Sequence, residues 1–262
     1  MKLDLGCGAF KHPGFTGLDR RPLDGVDIVC DFGSPLPLPG DAVEFVMASR
    51  SLAYAADLPA VLAELYRICI HKAVVCILAP YAHQFRHRSN PHLRQLFDET
   101  TPRYMTNSYW EPPGSPSCPP LSPYTGDDVP YDFRLLRMEL FYRAPYLPPL
   151  YEEEEREYLK DVEPNVVDEI MYHLVVAKEE IPPAELLQLS RQAFPEPLWV
   201  EGLRSAAQEP PDAPDTAEAT DTLASEAPPV DHPAAGPVPG ASPPLRKPRR
   251  RKAGPTGKKR QR

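Results

Sequence analysis

Apolar and polar positions change period along the chain, and each change marks an element. Val43 to Ala48 (VEFVMA) and Val74 to Ala79 (VVCILA) are compact, β-rich runs with few polar positions, so both are predicted to be strands buried on two sides, as in a parallel sheet. Between them Leu58, Val61, Leu62, Leu65, Ile68 and Cys69 recur at helical spacing, with Glu64 and Arg67 on the outward side. Asp57 is placed to cap that helix, and Pro59 falls in its first turn, where a missing N–H costs nothing. The result is one β-α-β unit with a right-handed crossover. Lys2 to Leu5, Thr16 to Asp19 and Val26 to Cys30 are shorter apolar runs; the first enters a glycine turn and the other two run into acids. Only eight residues separate Gly8 from Gly17, too few for a full crossover helix, so the first helix is expected to be reduced or missing. Asp132 to Arg143 alternates, and Val166 to Lys178 is a second long strand candidate; together they predict an antiparallel pair at the sheet edge. Glu152 to Glu155 reads as the solvated face of a short helix. Pro182 to Phe194 reads as a last surface helix whose three leucines are too few to make a core. The fold class is α/β: a Rossmann-like, mostly parallel sheet with an antiparallel edge strand pair.

Proline use then divides the chain. Many of its 36 prolines fall after Ser205, in a segment with no apolar periodicity. Such a segment cannot offset an ordering cost of roughly 1 to 2 kcal/mol per residue, so residues 205–262 are expected to be a disordered Pro/Ala-rich tail. A second proline-rich stretch, residues 107–131, reads as an insert or lid carrying Tyr109, Trp110 and Tyr124. The expected organisation is a domain over 1–180, a helical extension over 181–204 and the tail.

Charge sharpens that division. Of 29 Lys and Arg, ten lie from Arg246 onward with no acid among them, so residues 1–245 hold 19 basic against 37 acidic groups, a formal charge of −18. The basic end is a candidate contact for RNA, DNA or another polyanion, its alternative being a solubilising tail that folds back on the acidic body. No run approaches the roughly 18 to 20 apolar residues of a membrane span. Five cysteines with no C-x-x-C pair argue against a disulfide framework or a zinc ribbon, and a cytoplasmic setting is expected.

The strongest chemical signal is Leu3-Asp4-Leu5-Gly6-Cys7-Gly8, a strand running into a Gly-x-Gly turn. Glycines there let the backbone approach a ligand, and free amides past the strand end can receive its polar groups. A dinucleotide fingerprint needs a third glycine where Lys11 stands and an acid about 20 residues on, whereas Asp19 follows Gly6 by only 13. A Gly-Lys-Ser/Thr phosphate loop is absent.

The pattern resembles motif I of class I S-adenosylmethionine-dependent methyltransferases in the "LDLGCG" form found in small bacterial-type methyltransferase-domain proteins. The resemblance extends over roughly residues 1–180, through Gly17-Leu18-Asp19, Asp31-Phe32, Asp41 to Ser49, Asn90-Pro91-His92, Phe97 to Pro102 and Pro164 to Ile170. It implies the class I methyltransferase fold and S-adenosyl-L-methionine as cofactor. Asp4, Gly6, Cys7, Gly8, Asp19, Asp31, Phe32 and Ser49 are the cofactor-binding candidates it points to, Asp19 for both ribose hydroxyls and Asp31 for the adenine amino group. A carboxylate gains charge-assisted hydrogen bonds from a diol, each contributing about 1.5 to 3 kcal/mol.

One departure bears on chemistry. Relatives carry Ser-His-x-Leu-Glu-His after the fourth strand; here the segment is Ser49-Arg50-Ser51-Leu52-Ala53-Tyr54, without either histidine or the glutamate. A Lys-Pro-Gly-Gly turn is likewise replaced by Ile70-His71-Lys72-Ala73, which costs geometry more than chemistry. Arg50, Tyr54, Asn90 and His92 are the substrate-side candidates, and no catalytic residue is singled out. His83, His87 and His92 lack acids and cysteines at ligand spacing, so no metal is expected. Cys7 reads as a small turn residue rather than a nucleophile. The function expected is methyl transfer by in-line displacement to a small-molecule or RNA acceptor. The alternative is a weak or inactive cofactor-binding protein tethered to a polyanionic partner by its basic tail.

Overall fold

The apolar runs become strands of one sheet. In chain order these are β1 (Lys2–Leu5), β2 (Thr16–Asp19), β3 (Ile28–Val29), β4 (Val43–Ser49), β5 (Cys69–Pro80), β6 (Phe133–Tyr142) and β7 (Val167–Val176) in the computed structural model, which describes residues 1–121 and 128–206. The helices are α1 (Leu58–Ile68), α2 (Phe85–Arg88), α3 (Glu153–Val162), α4 (Pro183–Ser190) and α5 (Val200–Ala206). The strand order is β3-β2-β1-β4-β5-β7-β6. Pairings from β3 to β5 are parallel, and β7 runs antiparallel to both β5 and β6. This is the expected α/β architecture, a mostly parallel sheet closed by an antiparallel pair. The edge pair is present, with β7 set inside β6.

Both faces of β5 are covered, as its composition requires. Val75, Ile77 and Ala79 enter one core with α1, while Val74, Cys76 and Leu78 enter another. Asp57 caps α1 by accepting a hydrogen bond from the Ala60 amide at 3.0 Å, and Val61, Leu62, Leu65 and Ile68 are buried. Glu64 and Arg67 do more than face solvent. The Leu36 amide donates to Glu64 at 2.7 Å and Arg67 donates to the Leu38 carbonyl at 3.0 Å, tying down the proline-rich connection before β4.

Between β1 and β2 there is no helix, as the short spacing predicts. The face a first helix would cover is closed instead by chain after β7: Ile181, Leu186 and Val200 are buried beside Phe15, Phe45 and Met47. The expectation that this segment adds nothing to a core is therefore corrected. Its leucines are few, but they complete an apolar surface the sheet already presents. The replaced turn lies within β5 as a bulge, since from Val43 to Phe45 the partner register advances from Cys69 to Val74. Lys72 holds the left-handed conformation there (φ 64°), and its ammonium pairs with Glu185 of α4 at 2.6 Å.

The described part of the 107–131 insert is fastened over β6. Asn107 and Val129 exchange hydrogen bonds, Arg103 donates to the Cys118 carbonyl, and the Met138 amide donates to Ser115. Tyr124 lies outside the described residues. The described residues belong to one unit, Met1–Ala213. The backbone of α5 continues to Ala206, past the predicted boundary. The expected disordered tail beyond it and its basic cluster lie outside the described residues. No described helix is long and apolar enough to cross a membrane.

Candidate functional site

The glycine turn after β1 is built against the end of β2. Gly6 has φ +70°, its amide donates to the Leu18 carbonyl at 2.7 Å, and a Cβ added to it would stand 2.5 Å from the Ser51 Cβ. Only glycine fits such a position. Gly8, at φ +55°, donates its amide to Asp19 Oδ2 at 3.0 Å, and the Arg21 amide donates to Asp19 Oδ1 at 2.9 Å. The Asp19 carboxylate is thus aimed by two backbone groups while each oxygen keeps a lone pair. Asp4 is buried beneath the turn and accepts from the His12 amide at 2.7 Å. Burial pushes its carboxyl above the usual carboxylate range, partly offset by that bond and by nearby His12 and Lys11.

The ends of the next strands close round the same space. Asp31 is exposed and Oδ1 accepts from the Gly33 amide at 2.9 Å. Arg50 sits just past β4 in the left-handed region (φ 55°), and its guanidinium makes a two-point pair with buried Glu169 at 2.5 and 2.6 Å. Ser51 is buried with no hydrogen-bond partner for its hydroxyl. Asn90 donates to the Tyr54 hydroxyl at 3.2 Å and accepts from the His92 amide at 3.0 Å.

A cavity of about 630 Å³ gathers Gly6, Gly8, Asp19, Asp31, Phe32, Arg50, Tyr54 and His92 into one wall, together with Ser51. Asp4, Cys7 and Ser49 line a smaller cavity of about 90 Å³ that shares Gly6 and is flanked by Phe10 and Trp199. Asn90 lines neither and reaches the site through Tyr54 and His92. Arg50, a substrate-side candidate, lines the larger cavity while its Nε and Nη2 pair with Glu169 and its guanidinium lies 5.7 Å over the Trp199 ring. No described residue of 107–131 lines either cavity, and Ser115 of the insert accepts a hydrogen bond from the Met138 amide of β6. The Cys7 thiol is pushed up to about 11 by burial and by Asp4 and Asp19, which keeps it a neutral turn residue.

Sequence reasoning missed several wall residues. Arg20 and Arg21 follow Asp19 directly and were findable as the first residues past a strand end, whereas Ser51 carries no local signal. His87 is held against Asp168 at 3.1 Å, and among the described residues no cluster of three or more His, Cys, Asp or Glu could hold a metal ion.

No family model matches the chain, and no curated protein does. Among solved structures, the YcgJ protein of Bacillus subtilis aligns at 11% identity with a TM-score of 0.43, over 68% of this chain and 92% of its own. A SAM-dependent methyltransferase from Archaeoglobus fulgidus aligns at 15% identity and TM-score 0.42, over 66% and 85%. A chain of the Haloferax volcanii complex containing the Trm112 methyltransferase activator aligns at 15% and 0.41, over 67% and 82%. At these values the likeness is one of general fold.

Proposed function

We propose that this cavity binds S-adenosyl-L-methionine and that the chain is a methyltransferase acting on a small-molecule or RNA acceptor. The observation that carries the reading is the convergence of Gly6, Asp19 and Asp31 on one cavity at the carboxyl ends of the first three strands, where ligands of open α/β sheets bind. The residues fit the cofactor. Asp19 has lone pairs for two ribose hydroxyls, Asp31 has Oδ2 for an adenine amino group beside Phe32, and the unpartnered Ser51 hydroxyl offers one more polar contact. When bound, the cofactor supplies a methyl group on a positively charged sulfur. The chain's part is orientation: holding two reactants in line near 3 to 3.5 Å contributes roughly 7 to 11 kcal/mol, without a covalent intermediate. Phe10 and Trp199 flank the smaller cavity, and Tyr54, Asn90 and His92 form the rim an acceptor meets.

Calorimetry with S-adenosylmethionine on the Asp19→Ala/Asp31→Ala double variant is the test. Loss of about 1.5 to 3 kcal/mol per carboxylate weakens binding roughly 100-fold or more. Unchanged affinity overturns the reading. The engagement of Arg50 with Glu169 favours a second reading, a binding protein with little turnover tethered by its basic tail to a polyanion. Formation of S-adenosylhomocysteine over a panel of small molecules and RNA rejects it; binding without any such product supports it.

A further inference from the structure

A separate cavity of about 330 Å³ lies on the second face of the sheet, between β6, β7, α4 and the turn at Pro113–Ser115. Its floor is made by a bulge. Leu135 pairs with Leu174 but Arg137 pairs with His173, so Leu136 is an extra residue. The bulge turns Arg137 to the same side as its partner, where regular alternation would send it into the opposite core. His173 is 1% exposed, and its Nε2 has no hydrogen-bond partner. The buried Nη2 of Arg137 has no hydrogen-bond partner among the described residues, and its guanidinium lies 5.5 Å over the Phe194 ring, which also stacks on His173.

An unpaired buried donor and an unpaired buried acceptor side by side are each costly, and natural interiors rarely leave them so. The Pro195 carbonyl accepts a hydrogen bond from the His173 ring, and with Nε2 unpartnered the donor is assigned as Nδ1–H, the tautomer that leaves Nε2 as a lone-pair acceptor. Burial, with Arg137 and Arg204 nearby, holds the imidazole down at about 4, against the pull of Glu196, so it is neutral near pH 7. Glu139, the acid that lines the cavity, and Glu196 near His173 are both taken by Arg204, at 2.5 and 2.6 Å. Arg137 and Arg191 therefore leave the cavity with a positive balance.

We propose that this cavity is a second binding site, for a small oxyanion that carries a hydroxyl beside its charge, such as a hydroxycarboxylate or a phosphate monoester. Arg137 donates to the charged oxygen and His173 Nε2 accepts from the hydroxyl. The volume falls at the small end of the roughly 300 to 1,000 Å³ usual for such ligands.

The test follows the His173 imidazole resonance of the full chain by NMR during titration with glycerate and, separately, with glycerol 3-phosphate. The expected result is a saturating shift with at least one of them, weakened about 10-fold or more in Arg137→Met and about 10-fold weaker for acetate, which lacks the hydroxyl. The two ligands distinguish carboxylate from phosphate recognition. The basic tail is present in every variant, so only differences between variants count. Should Arg137→Met misfold, His173→Asn read by calorimetry serves the same purpose, with binding expected to fall by a similar factor. No saturable shift with either ligand overturns the site; so does equal affinity in the substituted chain, or acetate binding as tightly as glycerate.

Discussion

The two faces of the sheet are closed by different kinds of chain. On the first, α1 is a crossover between adjacent parallel strands, capped by Asp57 and packed through Val61, Leu62, Leu65 and Ile68. On the second, no helix follows β1, and the cover is brought back from beyond β7 as α4, α5 and the segment between them. The first cover places few demands on distant chain. The second packs wholly against distant chain, and it leaves room for polar side chains: Arg137, Glu139 and His173 all stand on that side.

The difference predicts unequal responses to the same truncation. Leu65 is fully buried in α1 and Leu186 is 2% exposed in α4. Leu65→Ala is expected to lose about 4 kcal/mol, in the upper part of the roughly 2 to 5 range for buried leucines, because α1 is held on two sides and cannot collapse. Leu186→Ala is expected to lose about 2 kcal/mol, since a terminal helix can settle into the gap. Urea denaturation of both variants measures this, and equal losses would mean that the late cover is as rigid as the crossover.

Legibility follows the same line. The α1 cap, the helical stripe and the two-sided burial of β4 and β5 were readable because each depends on neighbours within a few residues. Gly6, Asp19 and Asp31 were readable for a similar reason: a positive φ calls for glycine, and strand ends are where ligands meet an open sheet. The pairing of Arg50 with Glu169 was not legible because Glu169 lies far along the chain, brought close only when β7 pairs with β5. The bulge at Leu136 and the burial of Leu186 depend on register and docking, for which the local pattern carries no sign.

His173 sharpens the comparison by pH, with a slightly smaller effect. Its imidazole is held at about 4 in the folded chain, against an ordinary 6.5 once unfolded. Between those values the unfolded state binds the extra proton, so stability present above about pH 6.5 is lost as pH falls towards 4. The full span corresponds to about 3 kcal/mol at 1.36 kcal/mol per unit. Subtracting the stability profile of His173→Gln from that of the native chain isolates this limb from the carboxylates. A flat difference between pH 4 and 6.5 would mean that the second face admits water to the ring.

The weakest link between the faces is expected at Lys72 and Glu185. Lys72 adopts a left-handed conformation in the bulge of β5 and reaches Glu185 on α4 at 2.6 Å, with both side chains more than a third exposed or close to it, at 39% and 35%. An exposed pair of this kind contributes about 0.2 to 1 kcal/mol. Glycine at 72 relieves left-handed strain of roughly 1 to 2 kcal/mol. It also loses the pair and adds backbone freedom of about 0.5 to 1 kcal/mol to the unfolded chain. Lys72→Gly is therefore expected to change stability by less than about 1 kcal/mol in either direction. A double-mutant cycle with Glu185→Ala separates the contributions: a coupling of about 0.5 kcal/mol fits a cover docked by its leucines and only trimmed by charge, whereas one well above 1 kcal/mol would make this ion pair the fastening that holds α4 to the sheet.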